Sequence, residues 1–188
     1  MSQAEFDRWQ ERFAAPGYLF GTAPNAFLKS QAHLLRKGQK ALAIADGEGR
    51  NGVFMAEQGL DVLSIDFSPA ALTQLERWTS QRDGLKHVEL LHRAAHELAD
   101  LPDGAFDTVL LNSVIQYFPN IDYLLAVIRD AARLLVPGGK LFIGDVRNLR
   151  LLESFHGAVQ LCRADGSVSV RELRRRVVRA MSQETELV

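Results

Sequence analysis

Residues 40–52 read KALAIADGEGRNG, from Lys40 to Gly52. The first half, Lys40 to Ala45, is a short apolar run of the kind that forms a strand buried on both faces. The second half, Asp46-Gly47-Glu48-Gly49-Arg50-Asn51-Gly52, is a glycine-rich turn opening onto a helix read over Asn51 to Gln58. A strand, a glycine turn and a helix are the first unit of a βα fold in which a ligand approaches the backbone. Gly47 and Gly49 remove the Cβ that would block that approach and permit dihedrals other residues avoid. The same turn also serves simply to pack a helix on a sheet, so it needs a second element beside it.

The alternation continues outward from this stretch. Asp61 to Ile65 reads as a second strand, with Ser68 as N-cap and Pro69 as first residue of a helix running toward Arg82. His87 to Leu91 is a third strand and Phe106 to Asn112 a fourth. Asn120 caps a helix over Ile121 to Leu135. A turn at Pro137-Gly138-Gly139 leads into a fifth strand, Lys140 to Asp145. Leu149 to Cys162 and Ser169 to Leu187 carry helical spacing. Strands alternating with helices predict an α/β fold: a Rossmann-like, doubly wound sheet of about five parallel strands flanked by helices. In such sheets ligands bind beyond the carboxyl ends of the strands, at the switch point.

The chain has 188 residues, which suits one domain over 1–188, divided into an N-terminal helical lid segment (1–38), a cofactor-binding core (39–146) and C-terminal helices (147–188). Apolar residues make up 47% and the formal net charge is −1, which argues against a protein built to grip nucleic acid. One cysteine, Cys162, cannot form an internal disulfide. The polar N-terminus lacks the apolar core of a signal peptide, and no window approaches the roughly 20 apolar residues of a membrane span. The expected location is the cytoplasm. No metal site is expected.

Asp66 ends the second strand, 17 residues beyond Gly49. A carboxylate there can accept hydrogen bonds from a ribose diol, or merely cap the next helix. Turn and acid together point to a nucleoside cofactor, either a nicotinamide dinucleotide or S-adenosylmethionine. A dinucleotide turn wants a third glycine to pack the helix and leaves the helix N-terminus free for pyrophosphate. Here the glycines sit early, and Glu48 adds a negative charge that repels pyrophosphate but tolerates a sulfonium and an ammonium.

On these residues the chain resembles a class I S-adenosylmethionine-dependent methyltransferase over essentially its whole length. YLFGTAPNAFL (18–28) and ADGEGRNGVFMA (45–56) resemble small bacterial methyltransferases of the tellurite-resistance and thiopurine type. DFSPAAL, VELLHRAA, FDTVLLNSVIQYFP, LLVPGGKLFIGDVR and RRRVVRAMSQETELV resemble methyltransferase domains of nonribosomal peptide synthetases. The resemblance implies that Gly47 and Gly49 flank the methionine part of the donor. It implies further that Asp66 holds the ribose, that Phe67 borders the adenine with Ala94 and Ala95 beside it, and that Asn112 and Ser113 face the transferred methyl. Asp46, Glu48 and Asn51 complete the expected cofactor set.

The chain departs from the family pattern in three places. Ala45 stands where many members carry an acid, with Asp46 one residue later. The region after strand three offers alanines rather than an acid for the adenine amino group. Five strands are read where seven are usual, leaving strand five as an apolar edge open to pairing with a second copy.

Methyl transfer is a direct displacement that needs alignment and exclusion of water more than a dedicated base. Expected acceptor contacts are Tyr18, Gln116, Tyr117 and Arg147, with Asn112, Tyr117 and His156 as catalytic candidates, His156 as the one that could accept a proton from an amine. Tyr117 also suits plain aromatic packing, His156 a structural role, and Arg147 an ion pair with Asp145. Arg171, Arg174, Arg175, Arg176 and Arg179 read as a solvated basic helix face, or as a dock for an acidic carrier domain. The expected activity is methyl transfer, N-directed, to a small-molecule or carrier-tethered acceptor. The competing expectations are a methyltransferase fold without turnover and a nicotinamide-dependent oxidoreductase.

Overall fold

The computed structural model describes residues 3–184. In chain order its main elements are α1 (Gln3–Ala14), α2 (Ala26–Ser30), β1 (Lys40–Ile44), α3 (Arg50–Glu57), β2 (Asp61–Asp66), α4 (Pro69–Ser80), β3 (Val88–His92), β4 (Phe106–Asn112), α5 (Ile121–Leu134), β5 (Leu135–Gly144), α6 (Leu152–Arg163) and α7 (Val170–Ser182). The last helix read from the sequence ends at Leu187, and its final residues lie outside the described ones. The chain divides into two units, Met1–Asp145 and Val146–Val188; the second holds α6 and α7, packed on each other.

The five strands form one sheet in the order β3-β2-β1-β4-β5, every neighbouring pair parallel. The runs KALAI and FDTVLLN became the central strands because they are apolar on both faces: Ala41, Leu42, Ala43, Ile44, Val109, Leu110 and Leu111 are all buried. β3 lies at one edge and has only half-buried and exposed residues; β5 lies at the other edge. Helix starts follow local chemistry. Ser68 Oγ accepts the Ala71 N–H at 3.1 Å with Pro69 in the first turn of α4, and Asn120 Oδ1 accepts the Tyr123 N–H at 2.9 Å at the start of α5.

Strand five differs from its expected span. Pairing begins at Leu135 with Phe106 and resumes at Lys140 with Thr108, so Pro137-Gly138-Gly139 is an irregularity inside the strand rather than a turn before it. Gly138, with φ of 81°, takes up the bend, and the ladder with β4 holds the two flanking segments in one strand. The strand ends at Gly144, and Asp145 turns into a left-handed conformation.

Candidate functional site

The strand order reverses between β1 and β4, and Asp46, Asp66, Asn112 and Ser113, singled out in the sequence, lie at the carboxyl ends of these strands and of β2. Backbone strain collects there too. Ala45, Ser113 and Asp145, the residues immediately after β1, β4 and β5, have φ of 53°, 58° and 60°. Each non-glycine residue in this region costs on the order of 1 kcal/mol or more, and such strain gathers at functional sites.

The glycine turn is built for close approach. Gly47 and Gly49 have φ of 58° and 85°. A Cβ on Gly49 would stand 2.2 Å from Leu75 Cδ1 of α4, and the Gly49 N–H closes the turn on Asp46 O at 3.0 Å. Gly52 is a third glycine in its own right: a Cβ there would meet Asp46 Oδ2 at 2.3 Å. The turn is therefore a full G-x-G-x-x-G. The expectation that its glycines sit too early for helix packing is corrected, because Gly52 lets α3 settle onto the Asp46 carboxylate.

Two carboxylates flank this turn, Asp46 half-buried and Asp66 buried. Asp46 accepts from the Gly52 N–H at 3.1 Å and from Ser64 Oγ at 2.9 Å, and burial pushes its pKa up to about 7. Asp66 accepts the Gly47 N–H and the Ser68 N–H, both at 2.8 Å, and burial raises its pKa to about 6. Asp46 thus staples β1, β2 and α3 together, and Asp66 clasps the turn to the end of β2.

The N-terminal segment covers the turn. Phe13 Cζ lies 3.2 Å from where a Cβ on Gly47 would stand, and Trp9 stacks on Phe13 with centroids 5.6 Å apart. Phe6 meets Phe67 at 5.7 Å, and Tyr117 meets Trp9 edge-on at 5.2 Å. Glu48 Oε2 accepts the Leu19 N–H at 2.8 Å, and Asn51 Oδ1 accepts the Asn25 N–H at 2.9 Å. Tyr18 turns away from this cover to pack edge-on against Trp78, 5.2 Å distant, in the main core.

At the end of β4, Asn112 Nδ2 donates to Ser113 Oγ at 2.9 Å, while Asn112 Oδ1 is buried without a hydrogen-bond partner. Gln116 is 5% exposed and its Oε1 is also buried and unpartnered, as is Glu48 Oε1. On the β3 side the Ala94 N–H is taken by Glu97 Oε2 at 2.6 Å, and Ala95 is buried. His92, Arg93, Glu97, Ala99 and Asp100 line an open crevice of about 410 Å³ beside them.

The remaining two candidates belong to the second unit. His156 Nε2 lies 3.1 Å from Glu184 Oε2, and Arg147 stacks over the Phe155 ring at 4.3 Å with Nη1 3.6 Å from the same Glu184 oxygen. Arg147 is thereby placed beside Glu184, an acid the sequence reading left out of the pairing it offered, because these residues meet only when α6 and α7 pack.

Sequence reasoning missed Phe6, Trp9 and Phe13. Their 3–4-residue spacing on one helix face was the available signal, but it says only that the face is covered. It also missed Gly52, whose position three residues after Gly49 was in plain view. Among the described residues no group of three or more His, Cys, Asp or Glu is placed to hold a metal, and no helix is long and apolar enough to cross a membrane.

Residues 42–143 match a family model described as a methyltransferase domain. The chain is 45% identical over 156 residues to chondramide synthase cmdD of Chondromyces crocatus, a match covering 82% of this chain and 4% of that protein. The CcbJ methyltransferase of Streptomyces caelestis shares the fold with a TM-score of 0.60 at 21% identity, over 72% of this chain and 56% of that one. The glycopeptide N-methyltransferase MtfA, solved with S-adenosylmethionine, does so with a TM-score of 0.57 at 20% identity, over 65% and 50%. With a matching domain over more than half its length, set on the parallel sheet and glycine turn described above, the chain belongs to the class I S-adenosylmethionine-dependent methyltransferase family.

Proposed function

We propose that this chain binds S-adenosylmethionine beside the Gly47–Gly49 turn and transfers its methyl group to an amine nitrogen of a small-molecule or carrier-tethered acceptor in the cytoplasm. The observation that carries this reading is a set of buried oxygens with no partner, Glu48 Oε1, Asn112 Oδ1 and Gln116 Oε1. Leaving such atoms unsatisfied costs about 1–3 kcal/mol each unless a ligand fills them. All three are acceptors, which suits a donor carrying an ammonium and a sulfonium, and an acceptor presenting N–H groups. The donor supplies an electrophilic methyl; the residues here bind, orient and exclude water. In this reading Asp66 holds the ribose, Phe67 borders the adenine, and Asn112 and Gln116 accept the N–H bonds of an amine so that its lone pair is aimed. The buried rings of Trp9 and Phe13 exclude water beside the turn, which strengthens each polar contact beneath them. The resemblance to methyltransferase domains of nonribosomal peptide synthetases supports a carrier-tethered acceptor, and the glycopeptide N-methyltransferase neighbour supports nitrogen.

The test is isothermal titration with S-adenosylhomocysteine, NADH as control, and Asp66→Ala as variant. Micromolar binding of the first ligand alone, lost in the variant, is the expected result. A methyltransferase fold without turnover is the second reading; it is favoured by both Asp66 oxygens and the Ala94 N–H being engaged within the protein. Well-folded protein that binds neither ligand would establish it.

A further inference from the structure

The turn and the start of α3 do more than approach a ligand: three of their side chains reach back to one strip of the N-terminal segment. Glu48 Oε2 accepts from Leu19 N at 2.8 Å and from Phe20 N at 3.5 Å. Arg50 Nη1 donates to Phe20 O at 3.4 Å, and its guanidinium lies over the Phe20 ring at 5.7 Å. Asn51 Oδ1 accepts from Asn25 N, and Asn25 Oδ1 in turn caps α2 through the N–H groups of Phe27 and Leu28. Phe20 then meets Phe13, which covers Gly47, at 6.3 Å, and Trp9, which stacks on Phe13, at 6.4 Å. Whatever moves Glu48 therefore moves the cover.

Glu48 is 4% exposed, and its carboxylate is divided in use. One oxygen holds the Leu19–Phe20 backbone. The other, Oε1, is buried with no hydrogen-bond partner. A purely structural role needs only the first oxygen, which an uncharged side chain could supply. Keeping a carboxylate here carries the desolvation cost of a buried charge, and burial does raise its pKa. That cost is offset only when a cation meets the free oxygen.

We infer that Glu48 is a positioning residue that couples closure of the N-terminal cover to donor binding, one oxygen holding the Leu19–Phe20 backbone and the other receiving the donor's ammonium. This rests on the proposed donor reading and adds to it the means by which an empty site and a loaded site differ. With the cation present, the carboxylate is held at both ends and the segment from Leu19 to Asn25 is pinned. Without it, the Leu19–Phe20 backbone is held by a carboxylate whose second oxygen is unsatisfied.

The experiment follows amide hydrogen exchange at Leu19 and Phe20 by NMR, and iodide quenching of tryptophan fluorescence, in wild-type, E48Q and E48A protein, each with and without S-adenosylhomocysteine, which carries the same ammonium. In the wild type the ligand should slow exchange at both amides and shield Trp9. E48Q should keep the slow exchange of the ligand-free state, because the amide oxygen still accepts from Leu19 N–H. It should lose the further slowing and bind the ligand roughly tenfold or more weakly. E48A should speed exchange at both amides roughly tenfold or more even without ligand. E48Q protein of wild-type thermal stability that binds the ligand as tightly as wild type would overturn the inference while leaving the donor reading intact, as would ligand binding that leaves exchange at Leu19 and Phe20 unchanged. Wild-type protein that binds no ligand would overturn both.

Discussion

The carboxylate of Asp66 accepts the backbone N–H of Gly47 at 2.8 Å, tying the carboxyl end of β2 to the glycine turn that follows β1. Its second oxygen accepts the Ser68 N–H at the same distance, so one buried side chain shapes both the turn and the start of α4.

Removing that carboxylate leaves two buried N–H groups without acceptors. Asp66→Ala should lower stability by about 2–4 kcal/mol, from one to two charge-assisted bonds lost. Urea denaturation measures this. The same variant should bind S-adenosylhomocysteine too weakly to titrate, because Gly47 is no longer held in its left-handed conformation.

Asp46 and Asp66 make stability depend on pH. Asp46 has its pKa raised from 3.8 to about 7 and Asp66 from 3.8 to about 6, in both cases chiefly by burial. The folded state therefore holds protons that the unfolded chain releases near pH 4. The stability that this protonation contributes is complete below 3.8 and is lost as pH rises toward 6 and 7. Asp46→Asn keeps an acceptor for Gly52 N–H and has no charge to bury. Its melting temperature should fall less than that of the wild type between pH 5 and pH 8.

Gln116 carries a buried oxygen with no partner, a cost to the ligand-free fold. Gln116→Leu fills similar volume without a polar atom. It should raise stability by roughly 1 kcal/mol in chemical denaturation, leave S-adenosylhomocysteine binding within about twofold, and abolish methyl transfer to amine acceptors followed by mass spectrometry. Opposite signs for stability and activity are the mark of a site rather than a core position.

Gly49 and Gly144 differ in the reason they are glycine. At Gly49 the φ of 85° and the contact with Leu75 act together, so Gly49→Ala should cost about 2–4 kcal/mol and weaken donor binding in the same titration. Gly144 has an ordinary φ, but its Cβ would stand 2.2 Å from Asn112 Oδ1. Gly144→Ala should displace Asn112, leaving donor affinity nearly unchanged while methyl transfer falls on the order of tenfold or more.

Some of this was legible along the chain. The central strands, the Ser68-Pro69 and Asn120 helix starts, and the pairing of a glycine turn with Asp66 are set by near neighbours: apolar runs bury themselves, and caps act within a turn of helix. The turn within β5 was not legible, because Pro137-Gly138-Gly139 reads as a break until the β4 ladder holds both sides of it together.

The sequence by itself determined the α/β alternation, the glycine turn and the acid at the end of β2, since each follows from spacing along one stretch. Only the tertiary structure decided what these residues touch. It set Glu48 on the Leu19 and Phe20 amides, Phe13 over Gly47, Asn51 on Asn25 and Arg147 beside Glu184. Those partners lie 26 to 37 residues apart in the chain, and no periodicity within one element can say which distant backbone group a buried carboxylate or amide will meet.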